Sequence, residues 1–213
     1  MPLPFKLKAF RRIFKKEEFK LLDVGAGNHS ASNIKKHFPN CKYYGIDISK
    51  DYNNDQSDFD LMEEFWERDL TKLQFGTIPD NSFDAILMSH IIEHLENGDE
   101  VIKTLSPKLK PGGYIYIEYP SARSVNFPSK IGTLNFYDDP THVRIYTLEE
   151  LNNLFSELDG FSIVKAETRR DLLNILLMPA KGIYNKIKRG YIPGYVYWDL
   201  YGFAEFVLAR KKE

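Results

Sequence analysis

The sequence predicts an α/β fold: a mainly parallel sheet with helices on both faces. Three observations lead there. Short apolar runs alternate with helix-patterned segments along most of the chain, the signature of βαβ units. Right-handed crossovers between parallel strands then put helices on both faces. Three successive strand ends carry an acid, Asp23, Asp47 and Asp69, and the first leads into a glycine turn, Gly25-Ala26-Gly27. The 213 residues are 43% hydrophobic and 28% charged, enough to bury one core without cross-links. The single cysteine, Cys41, excludes an internal disulfide and a cysteine metal cage. A net charge of −1 excludes a chain-wide basic field, and with it makes nucleic acid a poor partner.

The elements follow in order. Residues 1–18 are a basic N-terminal segment, with Lys and Arg interleaved among Phe5, Leu7, Phe10, Ile13 and Phe14. It reads as a short amphipathic helix, either packing its phenylalanines on the sheet or touching an anionic membrane surface or an anionic substrate. The main domain spans 19–213. Residues 19–24 form the first strand, 31–38 a helix closed by Pro39, and 43–48 the second strand. The polar stretch 51–60 is a loop or ragged helix, and a third strand ends near Asp69. Residues 83–88 form the fourth strand, and 91–95 open the helix after it. Pro111-Gly112-Gly113 turns the chain into an alternating strand over 114–119. Thr147 caps a helix over 149–158, with Glu150 placed to complete a capping box. Strands over 161–167 and 202–210 close the chain.

The first turn narrows the ligand. Its glycines let the backbone approach a ligand closely, and ligands of open α/β sheets bind at this strand edge. A dinucleotide site wants G-x-G-x-x-G, but here the run is Gly25-Ala26-Gly27-Asn28-His29-Ser30. Asp23 suits a cationic ligand, an ammonium or sulfonium compound, better than a pyrophosphate. Asp47, 22 positions beyond Gly25, is placed to accept both hydroxyls of a ribose. Asp69 is placed to accept an adenine amino group.

The segments LLDVGAGN, YYGIDIS, ERDL, IPDNSFDAILMSHIIEHL and LKPGGYIYIEYP, in this order over roughly residues 19–160, resemble the class I S-adenosylmethionine-dependent methyltransferases. The resemblance implies a Rossmann-like sheet of seven strands, the last antiparallel, with S-adenosylmethionine across its C-terminal edge. It implies that Asp23, Gly25 and Gly27 hold the methionine part, that Asp47 binds the ribose, and that Ile48 lies against the adenine. Asp69 and Leu70 would frame the adenine, with Ser89 and His90 beside the methionyl end. His29 departs from the third glycine of many members.

Four of the five histidines, His29, His90, His94 and His142, fall in or near this edge. On a helix, His90, Glu93 and His94 share one face, and the loop Asp138-Asp139-Pro140-Thr141-His142 is expected over the same edge. In one reading a neutral histidine is the general base, His142 first and His94 second. In another, His90, Glu93, His94 and His142 hold a divalent metal, Mg, Mn or Zn. That second pattern resembles the small-RNA 3′-end 2′-O-methyltransferases and the ubiquinone-pathway O-methyltransferases, with His90 replacing the first Glu of their E-x-x-E-H helix. In a third, Glu93-His94 only buttresses the helix after the fourth strand. Asp138, Asp139 and Arg144 read as charges that fix the loop.

Residues 171–200 form a long insert beside the expected acceptor site. Leu172, Leu173, Ile175, Leu176 and Leu177 make an apolar helical face, followed by Lys181, Lys186, Lys188 and Arg189 and by Tyr191, Tyr195, Tyr197 and Trp198. It reads as a cover for the sheet edge, a lid over an acceptor, or a membrane-surface helix acting with residues 1–18. The functional expectation is S-adenosylmethionine-dependent O-methylation of a small molecule or glycan intermediate. Oxygen is favoured by the histidines and by the absence of an Asn/Asp-Pro-Pro-aromatic motif after the fourth strand. The alternatives are a non-catalytic cofactor-binding scaffold and a metal-assisted 2′-O-methyltransferase-like enzyme on RNA. The expected location is the cytoplasm, with a peripheral position on the inner membrane surface as its variant.

Overall fold

The computed structural model describes residues 3–15 and 17–213. The expectations for the N-terminal segment at Met1, Pro2 and Lys16 lie outside the described residues. Seven strands form one sheet: β1 (Phe19–Val24), β2 (Cys41–Asp47), β3 (Met62–Glu67), β4 (Phe83–Ser89), β5 (Leu109–Pro120), β6 (Phe161–Thr168) and β7 (Ala204–Lys211). Their spatial order is β3-β2-β1-β4-β5-β7-β6. Strands β1 to β5 pair in parallel, and β7 runs antiparallel to both β5 and β6. The chain reverses strand order between β1 and β4, where a ligand crevice opens.

Alternation along the strands splits the core in two. In β1, Leu22 and Val24 point to one face and Leu21 to the other. The first face carries α4 (Gly98–Leu105) and α5 (Leu148–Glu157), which bury Val101, Ile102 and Leu105, and Leu151, Leu154 and Phe155. The second carries α1 (Phe5–Phe14) and α2 (Ser30–Lys35), which bury Leu7 and Phe10, and Ala31 and Ile34. Each such Leu or Phe contributes roughly 1.5–3 kcal/mol by leaving water. The phenylalanines of α1 thus pack on the sheet: Phe14 stacks on Phe19 and Phe10 meets Tyr116 edge to face.

Several boundaries differ from the sequence reading for local reasons. The helix after the glycine turn ends at Lys35, and the polar stretch 51–60 holds only α3 (Gln56–Phe59), started by an Asp55–Asp58 capping box. Strand β5 begins at Leu109, before the glycines, with a register shift against β4. The Thr147–Glu150 capping box is present. The insert forms α6 (Leu172–Arg189) and α7 (Trp198–Tyr201).

Candidate active site

At the end of β1 the backbone turns through Gly25 at φ +84°, a left-handed conformation that favours glycine. A Cβ there would sit 2.0 Å from Ile91 Cδ1. At Gly27 it would sit 2.4 Å from Tyr52 Cδ1 and 3.1 Å from Asp47 Oδ2. The turn therefore has no room for side chains and lies directly against the ends of β2 and β4. Asp47 is buried, which raises its pKa; the amides of Ile48, Gly27 and Ser49 point at it and oppose the rise. Ile48 is exposed on the rim. Asp23 is buried and accepts hydrogen bonds from Ser30 and Tyr43, the latter at 2.7 Å. Burial raises its pKa against the pull of Lys6 from α1. Asp69 turns inward to cap its own turn, accepting from the Thr71 amide at 2.9 Å and hydroxyl at 2.6 Å, while Leu70 is buried behind it.

The segment after β4 is not the helix expected from the H-x-x-E-H spacing. His90 is left-handed at φ 57°, Ile92–His94 makes one 3-10 turn, and α4 starts only at Gly98. The reason is competition for backbone partners. The His90 amide bonds the Glu118 carbonyl at 2.7 Å, and the Glu93 carbonyl accepts from the amides of Val143 at 2.9 Å and Arg144 at 3.1 Å. With that carbonyl taken by a loop 50 residues away, the helical ladder cannot continue. His90, Glu93 and His94 consequently do not share a face.

His90 lies between two buried carboxylates. Its Nδ1 is 3.1 Å from Glu93 Oε1, and its Nε2 is 3.3 Å from Glu118 Oε1, the latter an ion pair rather than an aligned hydrogen bond. Burial pulls its pKa down, but Glu118 and Glu93 together lift it to about 9. This histidine is a cation, not the neutral base or metal ligand considered for it. Glu118 also accepts from Arg169 at 3.0 Å and from Tyr116 at 2.6 Å. Burial favours its neutral form, yet Arg169 and His90 hold its pKa down at about 2. Arg169 reaches on to Asp199 at 3.1 Å. This network floors a cleft of about 520 Å³ whose walls include Ser89, Trp198, Asn174 and the α1 residues Phe5, Lys6 and Lys8.

Glu93, His94 and His142 do come together, with one ligand-type atom from each within 4.8 Å of the others. Nδ1–H of His142 donates to the Phe136 carbonyl at 2.7 Å. Nδ1 of His94 faces the Thr141 carbonyl at 3.2 Å and hydroxyl at 2.9 Å. Both rings thus commit Nδ1 to the backbone and keep Nε2 as the lone-pair nitrogen. The ring centroids are 4.8 Å apart, edge to face. Burial holds the His142 pKa below its ordinary value. Glu93 Oε2 is buried with no hydrogen-bond partner. Asp139 adds Oδ2 at 3.9 Å from His142 Nε2. Asp138, by contrast, fixes its loop by accepting from the amides of Lys130, Leu134 and Asn135, and Arg144 pairs with Asp99 at 2.7 Å.

Sequence reasoning missed Glu118, Arg169 and Asp199. An acid inside the apolar run Ile115–Tyr119 was the available signal, because a charge in a central strand needs a buried partner.

A family model described as a methyltransferase domain matches residues 4–166, taking in all of α1 and stopping short of α6. No curated protein matches the chain. Among solved structures, an S-adenosylmethionine-dependent methyltransferase from Archaeoglobus fulgidus is 23% identical at a TM-score of 0.61, over 97% of this chain and 92% of that one. One from Mesorhizobium loti is 17% identical at a TM-score of 0.64, over 97% and 98%. A Haemonchus contortus phosphoethanolamine N-methyltransferase 2, in complex with phosphomonomethylethanolamine and S-adenosylhomocysteine, is 18% identical at a TM-score of 0.68, over 98% of this chain and 52% of that one. At these identities the likeness concerns the fold.

Proposed function

The chain belongs to the methyltransferase-domain family and is an S-adenosylmethionine-dependent methyltransferase, and from that premise we propose that it methylates an oxygen of a small-molecule or glycan acceptor with His142 as general base. The observation that carries this is the state of His142: Nδ1 tied to the Phe136 carbonyl, Nε2 free, and the ring held neutral by burial. Bound S-adenosylmethionine would supply an electrophilic methyl group on a sulfonium, with the neutral thioether as the leaving group. Asp47 would accept hydrogen bonds from the ribose hydroxyls, Ile48 would lie against the adenine, and Asp69 and Leu70 would border it. Asp23, Gly25 and Gly27 would hold the methionine part, with Ser89 and His90 beside its end. These residues fit: the glycine turn has no Cβ to block approach, and the Asp47 carboxylate stands at its lip. His142 takes the acceptor proton at Nε2, with His94 packed against its ring.

A second reading is favoured by the orphaned Glu93 Oε2. Glu93, His94 and His142, with Asp139 nearby, would hold a divalent cation, and each histidine has the carbonyl contact at Nδ1 that commonly orients metal-bound imidazoles. The cation would lower the pKa of an acceptor hydroxyl. His90 is not part of that set.

Two measurements test the proposal. His142→Ala is expected to lower kcat by about 10²–10⁴ while calorimetric affinity for S-adenosylmethionine stays unchanged; full activity removes His142 from the chemistry in both readings. Activity that survives chelator supports the base reading, and activity lost and restored by Mg, Mn or Zn replaces it with the metal reading. Cofactor binding with no transfer to any acceptor would return the scaffold alternative.

A further inference from the structure

Helix α6 is amphipathic in the reverse sense. At 3.6 residues per turn, Leu172, Leu173, Leu176, Leu177, Ile183 and Ile187 fall within an arc of about 140°, and all of them are exposed, Leu176 and Ile187 by 76% and 82%. The face turned to the protein instead mixes small and polar residues with the half-buried Ile175 and Met178. Gly182 and Asn185 are its buried residues, Asn185 accepting from Tyr195 at 3.1 Å and Asn174 donating to Asp199 at 3.0 Å. The polar side is satisfied internally, and none of the stripe residues joins a hydrophobic core cluster of the described residues. Beside the stripe runs a shallow groove of about 280 Å³ lined by Met178, Ile183, Ile187 and Ile192.

Charge selects the occupant. Between 172 and 198 the chain carries Lys181, Lys186, Lys188 and Arg189 and no acidic residue, although the whole protein is at −1. Lys186, Lys188 and Arg189 crowd the last turn of the helix. A second copy of this chain would bring the same cations against one another. An anionic bilayer satisfies both features, burying the stripe at the acyl boundary and pairing the lysines with phosphates. No helix among the described residues is long and apolar enough to cross a membrane, so the contact is one of lying on the surface.

We propose that the exposed face of α6 docks the protein on an anionic lipid surface. The stripe adjoins the site: Leu173 lies on the stripe and also on the wall of the main cleft, so docking sets that wall against the headgroup layer.

Flotation of the full chain with phosphatidylcholine vesicles, with and without phosphatidylglycerol, tests this. Binding is expected only with phosphatidylglycerol and is expected to weaken as salt rises. Leu176→Glu/Ile187→Glu is expected to abolish it, and Lys186→Glu/Lys188→Glu to reduce it by at least about tenfold. Both pairs are exposed, so circular dichroism should report an unchanged fold. No binding to anionic vesicles, or binding indifferent to these variants, overturns the proposal. So does a concentration-dependent dimer in sedimentation that Leu176→Glu/Ile187→Glu abolishes while vesicles remain unbound, since the face would then be a self-association surface. None of these outcomes depends on the acceptor or on His142.

Discussion

Glu93 stands between two nests, and the nests do opposite things to their histidines. On the cleft side, Oε1 joins Glu118, Arg169 and Asp199 around His90 and makes that imidazole a cation. On the loop side, Oε2 has no hydrogen-bond partner, and burial, helped by the neighbouring His94, holds the His142 pKa down against the Phe136 carbonyl and Glu93, which pull it up. Both histidines are largely buried, so burial alone does not separate them. The difference is the partners: for His90 a carboxylate at each nitrogen, Glu93 at 3.1 Å and Glu118 at 3.3 Å, and for His142 a backbone carbonyl at Nδ1 with only Asp139, 3.9 Å away, facing Nε2. A charged nest stabilises geometry, whereas a nitrogen with a free lone pair is chemically useful.

The largest effect should come from breaking the charged nest. Arg169→Ala leaves Asp199 buried without its cation and Glu118 with His90 alone, and removing one partner of a buried ion pair costs about 3–5 kcal/mol. For a chain of this size the midpoint of thermal unfolding should fall by roughly 10 °C. His142→Ala should move that midpoint far less while removing turnover. If the two variants proved equally unstable, the division between a structural nest and a chemical one would fail.

The pH dependence of stability sharpens the same contrast. The folded pKa of His90 is raised to about 9, so its contribution is complete below its unfolded value near 6.5 and is lost as pH rises through 9. It amounts to on the order of 3 kcal/mol. Glu118 works at the other end: held at about 2, its contribution is present above its unfolded value of 4.5 and is lost as pH falls through 2. His142 has the opposite sign to His90. Its folded pKa is depressed, so the native state loses stability as pH falls below the unfolded value. Urea unfolding between pH 6 and 9.5 should show the decline, and His90→Gln should flatten it. A wild-type profile that is level across that window would remove the cationic reading of His90.

What the chain revealed before folding was local. The glycine turn, the acid after β2 and the Thr147–Glu150 box depend on neighbours a few positions away, and they stand where the pattern puts them. The segment after β4 misled because H-x-x-E-H is a helical spacing, whereas the Glu93 carbonyl is claimed by Val143 and Arg144. Nothing near residue 93 encodes that competition. The Glu118–Arg169–Asp199 chain likewise joins β5, the turn after β6 and α7 across 51 and 30 positions. The leucines of α6 were legible as a stripe, but periodicity reports that a helix has two faces and not which one meets the protein.

The smallest effect belongs to Thr141, which touches the loop-side nest through its hydroxyl, its carbonyl and its amide, the last donating to Asp139 at 2.9 Å. The hydroxyl donates to Asp139 at 2.5 Å and stands 2.9 Å from His94 Nδ1, whose ring also has the Thr141 carbonyl at 3.2 Å. Thr141→Val keeps the β-branched shape and the carbonyl but removes the hydroxyl. One hydrogen bond of this kind is worth about 1 kcal/mol, so kcat should fall by less than about tenfold and thermal stability should barely change. The direction discriminates between the two readings of the site. If His142 alone is the base, His94 is packing and the loss stays within that bound. If His94 ligates a cation, its loosened ring should lower apparent metal affinity by about 10- to 100-fold, which metal titration against activity would detect.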